Sequence, residues 1–236
     1  MYTVNAHKKT ANILLGCGIL GSLLYPLKDL VAGNLYKGYS FNEQTVSELF
    51  AIGAPTSRLV VILFTISSLL FIAFGLGIWL ISDNSRILRA LSLMIFGNAI
   101  NSLLLWNFFP MHMRGIQPAF TDMMHGILAV NPFVLASLVL GAVYFKNWFR
   151  YYSIATILLL LVMVAFAVPK ALLVYENKPT PGLGIMERTS QYAHQIWHAV
   201  LAVMFLYKHR RQYQKEPLHT ADLKKKSETA TSGLVQ

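Results

Sequence analysis

The chain has 236 residues, 55% of them hydrophobic and only 13% charged, with a formal net charge of +10. That balance excludes an ordinary soluble domain. Several apolar runs approach the roughly 20 residues that a helix needs to cross a hydrocarbon core about 30 Å thick. No alternating ten-residue barrel pattern appears, and a helix satisfies its own backbone in lipid, so an all-α polytopic membrane protein is expected.

Six spans can be read in chain order: 11–32, 59–82, 87–109, 121–144, 151–173 and 188–207. The first follows a basic start at His7, Lys8 and Lys9 and resembles a signal peptide, but it has no small-x-small cleavage pattern and five spans follow. It is read as an uncleaved anchor. Its lone cysteine, Cys17, has no partner for an internal disulfide and reads as a small packing residue. The organisation expected is an N-terminal segment 1–10, a six-helix transmembrane domain 11–207 and a basic, disordered tail 208–236.

The first long connection, 33–58, carries Phe41, Val46, Leu49 and Phe50 at near-helical spacing, which predicts a short amphipathic helix on the membrane surface. The third span bears Asn98, Asn101 and Ser102, amides and a hydroxyl that need partners once buried. The next connection holds His112 and Arg114, with His112 expected in solvent. Thr121 then reads as an N-cap, placing Asp122 in the first helical turn and His125 at i+3 on the same face. Asn131-Pro132 sits in the fourth span, where a proline usually means a kink, and Pro169-Lys170 ends the apolar part of the fifth. Thr180-Pro181-Gly182 marks a turn before the sixth.

The sixth span carries a polar ladder: Glu187, Gln191, His194 and His198 fall within about 60° of one another and climb about 16 Å. Ionisable groups in a membrane helix avoid lipid and face the bundle interior or a cavity. His194 and His198 at i, i+4 can share one ion, as histidines do on metalloprotease helices, though here no glutamate stands between them. The competing reading is that the ladder is interhelical glue.

Charge sets the orientation. The N-terminus, the two short turns near 82–89 and 146–150, and the tail share one side and hold 13 of the 20 Lys and Arg. The positive-inside rule places both termini in the cytoplasm, with the protein in the plasma (inner) membrane. The net charge is thus a topology signal. Membrane lipids are the expected partners, nucleic acid is not, and oligomeric state is left open.

Three functional readings stand. The first is an outer-face site for a lipid or lipid-linked anionic substrate. In it Asp122, His125 and Glu187 are candidate catalytic residues, and Arg114, Arg188, Asn98, Asn101 and Gln191 candidate binding residues. The second is a metal-dependent intramembrane hydrolase using His125, His194 and His198 with Asp122 and Glu187. It requires zinc or another divalent cation, and no other cofactor is implied. The third is a non-enzymatic bundle locked by its polar residues. Whether the protein is an enzyme is not decided by sequence. Glu187 and Arg188 are adjacent and diverge by about 100°, so Arg188 is expected to reach Asp122 across helices.

The six-span layout, "FP" ending the third span, "TDMMHG" opening the fourth and "GLGIMERTSQY" leading into the sixth resemble the prokaryotic membrane-protein family called domain of unknown function 998. The resemblance covers about residues 11–207. It implies that the family's Asp and His correspond to Asp122 and His125, and its Glu-Arg pair to Glu187 and Arg188. His194 and His198 lie outside that pattern. In layout alone the chain is distantly similar to Frag1/DRAM/Sfk1 proteins, which act in lipid handling.

Overall fold

The structure is a computed structural model that describes residues 2–232, with side chains over 9–211. Among these residues the regular structure is all helical. The order is α1 (Tyr2–Leu35), a 3-10 helix (Val46–Phe50), α2 (Ser57–Leu80), α3 (Arg86–Phe108), α4 (Phe120–Ala129), α5 (Pro132–Tyr144), α6 (Trp148–Tyr175) and α7 (Leu183–Ser232). The expected disorder of the tail concerns residues whose side chains, 212–236, lie outside those described.

Among the described residues five segments are long and apolar enough to cross a membrane: Lys9–Leu35, Ser57–Leu80, Arg86–Phe108, Phe120–Tyr144 and Trp148–Tyr175. The protein is a multi-pass membrane protein. The expected sixth span lies inside α7, where Glu187, Arg188, Gln191, His194 and His198 dilute the apolar run. Neighbour contacts run α1–α2–α3–α5–α6–α7 and back to α1, so the helices close into a ring with α7 as its last member.

Burial follows the solvent this ring is built for. Leu23 and Leu27 on α1, Leu69 on α2, and Leu158 and Phe166 on α6 are exposed, while Lys28, Asp29 and His198 are buried. That inverts a soluble fold and suits a lipid surround. The half of the core away from the long connections is aromatic and aliphatic: Phe74, Ile78, Leu91, Ile95, Trp197 and Phe205 pack as one cluster. Small residues bring helices close. A Cβ on Gly77 would stand 2.9 Å from the Leu15 nitrogen, and Ser92 Oγ donates to the Gly75 carbonyl at 2.7 Å.

The fourth span is broken. α4 ends at Ala129, and α5 restarts at Pro132 with Asn131 as N-cap, its side chain accepting from Phe133 N at 3.2 Å. Proline at the first helical position lacks an N–H the helix would not use there. Amides of α3 mend the break: Asn101 Nδ2 donates to the Leu128 carbonyl at 2.8 Å, and Asn131 Nδ2 donates to Asn98 Oδ1 at 2.8 Å.

Two local expectations are corrected. The 33–58 connection forms a 3-10 helix with Val46, Leu49 and Phe50 buried, sunk into the bundle end instead of lying on a surface. Its apolar residues find better cover there: Phe50 packs edge-on against Phe64 and Trp106. The N-cap of α4 is Ala119, not Thr121, because the Asp122 carboxylate already accepts the Ala119 N–H at 2.9 Å.

Candidate functional site

Three connections, around 36–56, 109–119 and 176–182, gather at one end of the ring, and charged side chains knit them together. Thr45-Val46-Ser47-Glu48 forms a capping box, with Thr45 N donating to Glu48 Oε2 at 2.8 Å. Arg114 then grips the same Glu48 through Nε at 3.0 Å and Nη2 at 3.1 Å. It also donates to the Lys178 carbonyl and the Thr180 hydroxyl at 3.1 and 3.0 Å. One guanidinium thus ties the second connection to the first and third.

Arg188 does the same at the mouth of α7. Its Nε and Nη2 meet Asp29 at 2.9 and 3.0 Å, a two-pronged pair. Its Nη1 donates to the carbonyls of Phe41, Gln44 and Gly184 at 3.0, 2.8 and 3.1 Å. Tyr39 and Tyr192 complete the group, bonded to Arg188 and to Asp29 respectively. Lys28, fully buried, places its ammonium 3.4 Å from the Tyr25 ring centre and 3.2 Å from that of Phe64. The approach of the 41–44 backbone to α7 needs a glycine, since a Cβ on Gly184 would sit 2.3 Å from the Gln44 carbonyl oxygen.

Arg188 therefore pairs with Asp29 and not with Asp122, as the sequence reading expected. Asp29 wins because it sits on α1, packed directly against α7. Asp122 is instead taken by His112: Nδ1 lies 2.6 Å from Oδ2, and the His112 N–H donates to Oδ1 at 2.8 Å. His112 is thus a hydrogen-bond partner of a buried carboxylate, not a solvated loop residue.

His125 shares the inner face of α4 with Asp122 but has other partners. Its Nδ1 lies 2.8 Å from the Phe109 carbonyl oxygen and its Nε2 lies 3.2 Å from Ser47 Oγ. Ser47 Oγ is 3.4 Å from Glu187 Oε1, while Glu187 Oε2 accepts the Val46 N–H at 2.6 Å. Loss of solvent pushes the Glu187 carboxyl up to about 7; Asp29 and Glu48 add to the rise, and the Val46 N–H and Arg188 oppose it.

Of the residues singled out from sequence, His125 and Glu187 are joined through Ser47. Asp122 belongs to a separate pair. Asn98 and Asn101 serve the helix break, and Gln191 is half-buried on the ladder. His194 and His198 meet edge-to-face with ring centres 4.3 Å apart, and Phe71 and Trp197 lie against His198, deeper in the bundle. Among the described residues, His194 Nε2 and both ring nitrogens of His198 have no hydrogen-bond partner. Sequence reasoning missed Ser47, Asp29, Lys28 and Glu48 as site residues. Signals for them exist: "TVSE" spells a capping box, and a Lys-Asp pair inside an apolar span is a functional suspect by default.

No curated protein and no solved structure matches the chain. A family model does: residues 19–204 match the family described as protein of unknown function (DUF998), and the chain belongs to that family.

Proposed function

We propose that the protein crosses the plasma (inner) membrane six times with both termini cytoplasmic, and that its loop-rich end is an outer-face site for a lipid or lipid-linked amphiphile. The observation that carries this reading is the two-sidedness of α4. Its inner face brings His125 to Ser47 and, through Ser47, to Glu187, while Phe120, Met123 and Ile127 on the same helix are exposed. A polar head at the Ser47–Glu187 edge would leave its chains in lipid along that apolar face. Arg114 and Arg188 hold Glu48 and Asp29, so they shape the site, and an anionic head would have to compete with those carboxylates. The polar groups with capacity to spare are Ser47, Glu187 and Gln191.

A metal-dependent reaction is favoured by one observation, the unpartnered nitrogens of His194 and His198. A catalytic zinc takes three protein ligands, and His125 would have to release the Phe109 carbonyl or Ser47 to become the third. Native mass spectrometry of protein extracted in mild detergent tests the lipid reading. Wild type should retain lipid, and Glu187→Gln and Gln191→Ala should lose it while melting within a few degrees of wild type. Absence of retained lipid, or loss only in variants that unfold, would overturn it.

A further inference from the structure

The geometry points to Ser47 as an acyl-accepting nucleophile with His125 as its general base, acting on the carboxylic ester of an amphiphile. This deepens the proposed lipid site and rests on it.

The tautomer of His125 follows from its partners. A backbone carbonyl only accepts, so the 2.8 Å contact with Phe109 fixes the proton on Nδ1. Nε2 then carries a lone pair, and the group 3.2 Å from it is a hydroxyl. A nucleophile within reach of a base that a third group orients is the constellation serine acyl transfer needs, and the orienting group here is a main-chain oxygen. The ring is further held by Phe50, whose centre lies 5.7 Å away. Ser47 is half-buried, so a substrate can reach it, whereas His125 behind it is 6% exposed. The two come from the 3-10 helix and α4, and each is anchored by its own element.

The charges around Ser47 select the substrate class. The Glu187 carboxyl stands 3.4 Å away, and Glu48 and Asp29 are bound to the two nearby guanidiniums. A phosphodiester needs free cationic donors to stabilise its oxygens in the transition state, and these arginines are already engaged. A carbonyl ester develops charge on a single oxygen, which neutral hydrogen-bond donors can meet without a free cation. Glu187 is a positioning residue: it accepts the Val46 N–H and thereby fixes the turn that presents Ser47.

The step balances without a cofactor. Ser47 Oγ attacks the ester carbonyl carbon as its proton passes to His125 Nε2. The tetrahedral adduct collapses, the bond from acyl carbon to alkoxy oxygen breaks, and His125 returns the proton to the leaving alcohol. Water, or the hydroxyl of a second lipid, then attacks the acyl-Ser47 ester and gives its proton to His125, which returns it to Ser47 Oγ as the acyl–oxygen bond breaks.

The test is labelling of the full-length protein in detergent with a fluorophosphonate probe, read by peptide mass spectrometry, with lipid retention measured on the same preparations. Wild type should be labelled at Ser47, and Ser47→Ala should not be. His125→Asn should slow labelling by about 100-fold or more, the scale of a lost general base, with its melting temperature within a few degrees of wild type. In a Cys17→Ala background, Ser47→Cys should react with a maleimide faster than an unactivated thiol, which keeps the test independent of the alanine variant. Folded wild type that retains lipid but shows no adduct at Ser47 overturns the nucleophile and leaves the lipid site standing. Labelling that His125→Asn leaves unchanged also overturns it. Neither adduct nor lipid overturns both.

Discussion

Asp29 and Arg188 illustrate how single residues govern this site. Both are buried, at 0% and 7% exposure, and every polar atom of the pair facing the interior meets a carbonyl, a phenol or the opposite charge. A buried pair of this kind adds little over an apolar isostere, yet breaking it strands a charge at a cost of about 3–5 kcal/mol. Asp29→Asn should therefore lower stability by about that amount, measured as a melting shift in detergent. Arg188→Met should do the same. The double variant Asp29→Leu with Arg188→Met should recover much of the loss, because no charge is left unpaired. A single Asp29→Asn variant that melts like wild type would contradict the geometry. The sequence pointed to Arg188 but paired it with Asp122, since adjacency along α7 says which way a side chain leaves the helix and nothing about which neighbour waits there. Only the packing of α1 on α7 supplies that.

At the scale of elements, legibility followed the strength of local rules. Asn131-Pro132 announces a kink, and the helix goes further and breaks there. What sequence could not assign was the repair, because the amides that mend it come from α3, about thirty residues earlier. Asn98 and Asn101 were read as binding candidates for the same reason that they work as mends: amides inside a bundle must find partners. The 33–58 connection shows the opposite failure. Its apolar spacing was real, but the spacing cannot tell a lipid surface from a cleft between helices, and the buried capping box decided for the cleft. Gly184 is the hinge of that docking. A Cβ there would press on two backbone oxygens, at 2.3 and 2.5 Å, which cannot swing aside as a side chain can. Gly184→Ala should cost about 1–3 kcal/mol and speed proteolysis between residues 36 and 45. Gly126→Ala, in α4 with nothing within 4 Å of the new methyl, is the control and should be neutral or slightly stabilising. Equal effects of the two would show that helix propensity, and not the docked loop, governs both.

For the whole molecule, the ring of helices is written in long apolar runs, which is why the class and five of its spans could be read directly. α7 is the exception that matters. It is the least apolar of the ring, yet its inner face is fully enclosed: Trp197, Leu201, Ala202 and Phe205 have no exposure, and the histidines lie among them. Polar groups on an enclosed face lower the mean hydropathy of a helix without meeting lipid, so hydropathy undervalues the segment that closes the bundle. Which way the ring faces then rests on charge. The end opposite the site carries Arg86, Arg89, Lys146 and Arg150 with Asp83 as the one acid in its turns, whereas the site end mixes both signs. Cationic loops are held back from translocation, so the orientation we propose has the basic end in the cytoplasm and the Ser47 edge at the outer leaflet. In a Cys17→Ala background, cysteines at exposed positions 178 and 146 separate the two orientations. Lys178→Cys should react with a membrane-impermeant maleimide on intact cells, and Lys146→Cys only after permeabilisation. The reverse pattern would turn the site toward the cytoplasm and limit its substrates to inner-leaflet lipids, and equal labelling of both on intact cells would mean that the chain inserts in both orientations.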